Sequence, residues 1–197
     1  MRDKIINESI DLFDTKGFKE TSIQDIVDNI GVTKGTFYYY FKSKQELLKD
    51  IHLSFIVDLL KRQEEIIGDS NKNNYDKLYD IIYLIISRIK THGKSARITF
   101  REMRHVEEQH LVEIKRKREE FRLNLEKLLK EGITKGEFRN KVEPDILSFA
   151  ILGMVNRSYF WYNPDGELSE EELVKSYNEI LLNGLKNEEP YTQGILH

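Results

Sequence analysis

The sequence predicts an all-α protein with a small N-terminal domain, and two observations support this prediction. Apolar residues recur at three- and four-residue spacing along nearly all of the 197 residues, which is the period of helices that bury one face. No stretch alternates apolar and polar residues for long enough to form a strand, and only 3 prolines interrupt the chain. We expect a three-helix head at residues 1–48, a helical body at 49–187 and a tail at 188–197.

The head is expected to contain three short helices. The first is marked by apolar residues at helical spacing: Ile5, Ile6, Ile10 and Phe13. The second begins after Ser22, which can form a capping box with Asp25, and ends at Gly31. The third follows a turn of about three residues and has Thr33 as its N-cap. Two short helices joined by so tight a turn predict a helix-turn-helix.

The third helix contains an unbroken run of aromatic residues, Phe37 to Phe41, within "GVTKGTFYYYFKSK". Successive helical residues turn by about 100°, so neighbouring rings cannot all face one core. Phe37 and Phe41 are four residues apart and, with Tyr40 beside them, are expected to pack inward against the first two helices. Tyr38 and Tyr39 are then expected to be exposed.

The exposed edge of this helix suits DNA. Its expected members are Thr33, Lys34, Gly35, Thr36, Tyr38 and Tyr39. Hydroxyl groups, lysine and free N–H groups at helix starts bind phosphates, and Lys42 and Lys44 flank the next helix start at Ser43. An aromatic core helix with a solvated lysine edge is the alternative, but the tight turn, the aromatic run and the lysines together favour DNA binding. Because the net charge is -3, anions must be bound by such a local patch.

The stretch "GFKETSIQDIVDNIGVTKGTFYYYFKSKQELL", residues 17–48, resembles the TetR family of transcriptional regulators. The resemblance implies a three-helix DNA-binding head, an all-helical domain for ligand binding and dimerisation, and a homodimer on double-stranded operator DNA. Tyr40 stands where many relatives have His. The resemblance implies DNA contacts for these residues: Thr21, Ser22, Thr33, Lys34, Gly35, Thr36, Tyr38, Tyr39 and Lys44.

The body is expected to consist of a long helix, which a capping box of Ser43 and Glu46 starts, and five further helices. The further helices are expected at residues 75–91, 94–106, 107–131, 143–162 and 169–186. Breaks between them are expected at "THGK", "TKGEFRNKVEP" and "NPDGELS". The body sequence, with its "GITKGEF" turn at 132–138, is similar to repressors of fatty-acid and steroid degradation, which respond to acyl-CoA thioesters. The resemblance implies a hydrophobic effector such as an acyl-CoA, and a drug-like or aromatic effector stays open.

Several residues are candidates for effector binding. The apolar stretch "IIYLIISRI" at 81–89 is either plain core or, through Tyr83, the wall of an acyl tunnel. Arg97, Arg101 and Arg104 share one helix face, which is either a solvated salt-bridged surface or a mouth that binds CoA phosphates. Arg157 and Trp161 complete this set, and "KRKR" at 115–118 is interpreted as a solvated run.

The last two helices are expected to form a four-helix interface with the same pair of a second chain. Packing inside one chain is the alternative. The predicted interface residues are Ile146, Phe149, Ala150, Gly153, Leu173, Tyr177, Ile180, Leu181 and Gly184.

Other classes of protein are disfavoured. The chain has no Cys, which excludes disulfides and thiolate metal sites. The N-terminus has no apolar stretch typical of a signal peptide, and the longest apolar run, "IIYLII", is far shorter than the roughly 20 residues of a membrane span, so we expect a soluble, cytoplasmic protein without membrane contact. The motifs "EMRH" and "EEQH" lie too close together on one helix to converge on a metal. The absence of a nucleophile elbow or phosphate loop argues against an enzyme and a cofactor. The modest charge argues against a non-specific nucleoid protein.

Overall fold

The computed structural model describes residues 1–183, which form eight α-helices and no strand, so the all-α prediction is confirmed. The helices are α1 (Arg2–Thr15), α2 (Ile23–Ile30), α3 (Lys34–Tyr40), α4 (Lys44–Gly68), α5 (Asn74–Arg101), α6 (Glu108–Thr134), α7 (Pro144–Arg157) and α8 (Glu170–Asn183). Short 3-10 turns follow α5 at Met103–His105 and α7 at Ser158–Phe160. The predicted tail, the expected end of the last helix at 186 and the predicted interface residue Gly184 lie outside the described residues. No helix of the described chain is both long enough and apolar enough to cross a bilayer.

Side-chain caps begin the second and third helices of the head, as the sequence predicts. Ser22 Oγ accepts from the backbone N–H of Asp25 at 3.1 Å, and the Asp25 carboxylate accepts from the N–H of Ser22 at 2.7 Å. Gly31 ends α2 at φ 69°, a left-handed conformation that favours glycine. The cap at Ser43 differs from a full capping box, because the Glu46 carboxylate accepts from the N–H of Lys42 instead.

The expected break at "THGK" is wrong, because α5 runs unbroken through Gly93. A glycine inside a helix costs about 1 kcal/mol relative to alanine, which is not enough to end a helix that is packed on both sides. Gly93 is buried between the buried residues Ile89 and Ala96. The helix ends instead at Arg101, so the separate helix expected at 94–106 does not exist.

Two apolar clusters form the interior, and the smaller one crosses from the head into the body. The larger cluster joins α4 to α8 within the body. The smaller cluster contains the core of α1, α2 and α3, and also Ile98 of α5, Val106 and Ile114 of α6. These three side chains are at most 5% exposed, so the body completes the core of the head. Packing is therefore continuous across the predicted division at residue 48.

Candidate nucleic-acid interface and effector region

The aromatic run of α3 divides between core and surface. Phe37 and Phe41 are buried, whereas Tyr38 and Tyr39 are 53% and 82% exposed. The prediction that Tyr40 packs inward is wrong, since it is 37% exposed and its ring lies edge-on to Tyr39 at 4.9 Å between centroids. The physical reason is that α3 ends at Tyr40. Phe41 then turns into the core in an extended conformation, with φ -138° and ψ 126°, rather than by sharing a helix face with Phe37.

The outward side of α3 forms one continuous surface, which we name the recognition edge. It consists of Thr33, Lys34, Gly35, Thr36, Tyr38 and Tyr39. Thr33 caps the helix by accepting from the N–H of Thr36 at 3.3 Å. A Cβ added at Gly35 would meet only the Thr33 hydroxyl, at 3.5 Å, so the backbone there is open to close approach. Ser22, at the start of α2, and Lys42 are also exposed.

Two predicted phosphate contacts face inward instead. Thr21 is 1% exposed, and its hydroxyl donates to the carbonyl of Gly17 at 2.8 Å, so its side chain does not reach a phosphate in this conformation. Lys44 Nζ donates to the carbonyls of Phe18 and Thr21, both at 2.6 Å, and lies 4.3 Å from the centre of the Phe18 ring. Burial lowers the pKa of Lys44. Lys44 thus attaches the start of α4 to the segment between α1 and α2.

The predicted arginine face contacts the head rather than an effector cavity. Arg97 donates twice to the carboxylate of Asp14, with distances of 3.1 and 2.5 Å. Arg101 donates to the carbonyl of Phe13 at 2.6 Å and to Glu102 at 2.8 Å. The arginines therefore hold the C-terminal end of α1 against α5. The sequence did not reveal this arrangement because the partner residues lie more than eighty positions away in the chain.

A polar hollow of about 640 Å³ lies at this junction, and charged side chains of both signs line it. Arg101 and Arg104 line it with two further cations, Lys16 and Lys19, and with the carboxylates of Asp14, Glu20 and Glu102. Two of these carboxylates already accept from arginines, since Asp14 pairs with Arg97 and Glu102 pairs with Arg101. The CoA mouth at these arginines therefore stays a prediction.

Two further contacts attach the head to the body. Gln45 at the start of α4 donates to the carbonyl of His105 at 2.8 Å. Lys94 on α5 forms an ion pair with Asp11 on α1, with 2.6 Å between Nζ and Oδ1. The packing of α1 against α5 and the contacts of the first turn of α4 thus determine where the recognition edge lies relative to the body.

Family comparisons agree with this geometry. The family description "Bacterial regulatory proteins, tetR family" matches residues 5–51, which include the recognition edge and its capped helices. The description "Tetracyclin repressor-like, C-terminal domain" matches residues 71–185, more than half of the chain. The chain belongs to the TetR family. The resemblance seen in the sequence is thereby confirmed.

Relatives of this TetR-family protein are transcriptional regulators rather than enzymes. The HTH-type transcriptional repressor KstR2 of Mycolicibacterium smegmatis is 26% identical over 185 residues, covering 93% of this chain and 90% of that protein. The fatty acid metabolism regulator protein of Bacillus subtilis is 26% identical, covering 93% of this chain and 95% of that protein. The crystal structure of AibR in complex with isovaleryl coenzyme A and operator DNA has a TM-score of 0.81 at 23% identity, covering 92% of this chain and 97% of that one.

Two apolar cavities lie among the described residues of the body of this TetR-family regulator. A cavity of about 110 Å³ lies among α4, α5, α6 and α7, and its lining residues are Phe55, Ile56, Leu59, Ile85, Phe100, Arg118, Phe121, Leu152 and Asn156. A cavity of about 420 Å³ lies near the N-terminal end of α5, and its lining residues include Tyr75, Leu78, Phe138, Leu147 and Leu181. Tyr83 lines neither cavity and is 38% exposed, so the structure does not support its predicted place in a tunnel.

The predicted dimer residues separate into an exposed group and a buried group. Leu173 and Tyr177 are 3% and 8% exposed in the single chain, and the Tyr177 hydroxyl is 2.6 Å from Ser158 Oγ. Their assignment to the interface is therefore wrong, because the last helix uses this face to cover its own body. Leu181 is half-buried beside the larger cavity. The exposed group is Ile146, Phe149, Ala150, Gly153 and Ile180.

Arg157 and Trp161 adjoin the exposed side of α7 rather than an effector cavity. Arg157 is exposed and its guanidinium lies 5.1 Å from the centre of the Phe160 ring. Trp161 is 52% exposed and Phe160 is 44% exposed. The two predicted ligand residues thus extend an apolar surface that begins at Ile146.

Sequence reasoning missed Arg118, which was included in a solvated run. Its position continues the buried stripe of α6, since Ile114 lies four residues before it and Phe121 three residues after it. This spacing is the signal that could have identified Arg118. The neighbouring Lys115 and Arg116 do not share that stripe and are exposed.

Proposed function

We propose that this regulator is a ligand-controlled repressor that acts in the cytoplasm. It binds a palindromic operator as a homodimer and is released by a hydrophobic small molecule, of which a fatty acyl-CoA is the first candidate. The exposed recognition edge, held on the buried Phe37 and Phe41, is the single observation on which DNA binding rests. The names of related proteins, which include a fatty acid metabolism regulator and a complex with isovaleryl coenzyme A and operator DNA, support the ligand class.

DNA recognition in this proposal uses α3 in the major groove. Lys34 at the first turn of α3 donates to base edges, and Gly35 lets the backbone approach. Tyr38, Tyr39 and Lys42 contact phosphates on either side. In a two-fold dimer the two copies of α3 then lie about 34–36 Å apart, or a multiple of that spacing.

Dimerisation in this proposal uses the exposed apolar side of α7, which includes Ile146, Phe149 and Ala150, with Ile180 of α8 beside it. Ile146 and Phe149 are 57% and 58% exposed in the single chain. Large apolar side chains that cluster on one surface mark an interface. Ala150 and Gly153 allow a second helix to approach closely.

Ligand control in this proposal acts through α4. Phe55, Ile56 and Leu59 of this helix line the smaller cavity, and its first turn holds the head through Lys44 and Gln45. A ligand that displaces the cavity wall therefore displaces the anchor of the head. Because a ligand shifts an equilibrium only by its difference in affinity for the two states, it must fit the cavity better when α4 has moved.

Two lysines of the head are expected to differ in how they affect binding. Lys34→Ala is expected to weaken operator binding by about 1–3 kcal/mol and to leave random DNA less affected, since a base contact is lost. Lys42→Ala is expected to weaken binding to operator and to random DNA about equally. It is also expected to reduce the slope of log K against log salt concentration by about one, since one phosphate contact is lost. Fluorescence anisotropy on both DNAs at several salt concentrations measures the two effects.

Each lysine serves as the control for the other, because both are exposed charges and neither supports the core. Equal losses on operator and random DNA for Lys34→Ala would contradict its contact with bases. An unchanged salt slope for Lys42→Ala would contradict its contact with phosphate.

The proposed function is tested by anisotropy on DNA from just upstream of this protein's own gene, with and without acyl-CoAs of short and of long chain. We expect tight binding to a two-fold site and its loss with acyl-CoA but not with free CoA. Tight binding that acyl-CoA does not change would retain the repressor and reject this effector. Binding no tighter than to random DNA would remove the main support for a regulator of this promoter.

A further inference from the structure

Three arginines of the body, Arg88, Arg118 and Arg122, are buried or half-buried, and two of them are ion-paired. Arg88 pairs with Asp58, and Arg122 pairs with Glu126 at 2.7 Å between Nη1 and Oε2. Arg118 forms no ion pair with any carboxylate of residues 1–183. A charge below the surface without a counter-charge is costly, so a chain that keeps one has a reason to do so.

The surroundings of Arg118 leave its charge uncompensated. Its Nη2 donates to the carbonyl of Thr99 at 2.9 Å, and its guanidinium lies 5.1 Å from the centre of the Phe100 ring. Burial lowers the pKa of Arg118 to about 10, and no nearby acid raises it. Arg118 therefore stays charged at neutral pH and has donors available beyond the one used by Thr99.

The smaller cavity lies directly beside this guanidinium. Apart from Arg118 and the amide of Asn156, its lining is aliphatic and aromatic. Phe100, Leu152 and Asn156 are half-buried, so the cavity opens toward the surface between α5 and α7. An apolar chamber with one cation in its wall fits a molecule that has an apolar chain and one oxygen group able to accept hydrogen bonds.

A buried polar group without a hydrogen-bond partner lies near Arg118. His52 on α4 is fully buried, and neither of its ring nitrogens has a hydrogen-bond partner among the described residues. Burial, and then the charge of Arg118, lowers the pKa of His52 to about 3, so the imidazole is neutral at pH 7. Buried polar groups are normally paired, so an unpaired imidazole near a guanidinium that has no counter-charge is unusual for a plain core.

We propose that Arg118 binds the acyl oxygen of the effector, with the short aliphatic chain of the effector in the apolar cavity. This inference rests on the proposed ligand control and identifies the chemical class that the site accepts. The volume of about 110 Å³ corresponds to roughly three or four methylene-sized groups, which together with the carbonyl carbon suits an acyl group of about four or five carbons. The oxygen belongs either to a free carboxylate or to a CoA thioester carbonyl.

This site also explains how binding reaches the head. Phe55, Ile56 and Leu59 form the α4 wall of the cavity, and Phe121 belongs to the same α6 stripe as Arg118. An acyl chain between these helices separates α4 from α6 about three helical turns beyond the anchors of the head. An anionic effector forms an ion pair with Arg118 when the guanidinium turns into the cavity. This ion pair provides the difference in affinity between the state with α4 in place and the state with α4 displaced.

The test uses the full-length protein without DNA. Butyrate, hexanoate, butyryl-CoA and hexanoyl-CoA are titrated by calorimetry and by thermal unfolding. We expect either the acids or the thioesters to bind and to raise the melting temperature. Arg118→Met is expected to weaken this binding by at least about tenfold, because a hydrogen bond to a charged group is lost. Arg116→Met is the matched control, since this arginine of the same helix has a 63% exposed side chain, and binding should change by less than about twofold.

The titrations with acids and with CoA thioesters together identify the source of the acyl oxygen. Binding of hexanoate alone indicates a free acid, and binding of hexanoyl-CoA alone indicates a thioester. Arg118→Met should unfold at no lower temperature than the parent, since it removes an unpaired charge and keeps an apolar stem. A second variant, Leu152→Phe, fills the cavity without changing charge and should also abolish binding. Unchanged binding in Arg118→Met, or no binding of any of the four probes to the parent, would overturn the inference. Operator binding by the unliganded protein reports separately on the repressor proposal.

Discussion

Replacing Ala150 by arginine is expected to convert the proposed homodimer into a monomer and to weaken operator binding by at least about a hundredfold. Ala150 lies within the exposed apolar side of α7, between Phe149 and Gly153, and its side chain supports nothing inside its own chain. A long charged side chain there would be buried without a partner across the interface, and Arg157 on the same side adds like charge. Two heads in one dimer bind both halves of a palindrome together, which raises the affinity for the operator. A monomer loses this increase in affinity.

Val112→Arg is the matched control for this variant. Val112 is 69% exposed on α6, outside the proposed interface, and receives the same charge. Size-exclusion chromatography with light scattering gives the oligomeric state, and anisotropy gives the operator affinity. We expect Val112→Arg to remain a dimer with parental affinity. A dimeric Ala150→Arg would show that α7 does not form the interface.

The head could be predicted from the sequence because its determinants are local. Ser22 and Asp25 cap α2 within one turn, Gly31 ends it, and Thr33 begins α3. None of these depends on a distant residue. The error at Tyr40 has the same origin, because its exposure depends on the single residue at which α3 ends.

The body was harder to predict because an amphipathic helix does not reveal its partner. Leu173 and Ile146 are both apolar residues at helical spacing, yet the first faces its own chain and the second faces outward. Arg97 shows the same limit for charged residues, since its partner Asp14 lies on another helix. Gly93 shows that tertiary packing overrides a local break signal.

Ile98 on α5 is far from the recognition edge in sequence, yet its loss is expected to weaken DNA binding. Ile98 is fully buried in the cluster that completes the core of the head. Ile98→Ala is expected to lower the free energy of unfolding by about 2–5 kcal/mol. It is also expected to weaken operator binding roughly tenfold, because apparent affinity falls with the fraction of heads that are held in the binding position.

Ile86→Ala separates this coupling from a plain loss of stability. Ile86 is equally buried on the same helix but belongs to the cluster of the body, so its loss should lower stability by a similar amount and leave operator affinity nearly unchanged. Chemical denaturation gives the free energy of unfolding and anisotropy gives the operator affinity, both at a temperature where circular dichroism shows both variants folded. Ile98→Val is included as a variant with a smaller loss of side-chain volume. Equal effects of the two alanine variants on operator affinity would mean that stability alone matters. A selective effect of Ile98 would mean that the shared core transmits the state of the body to the head.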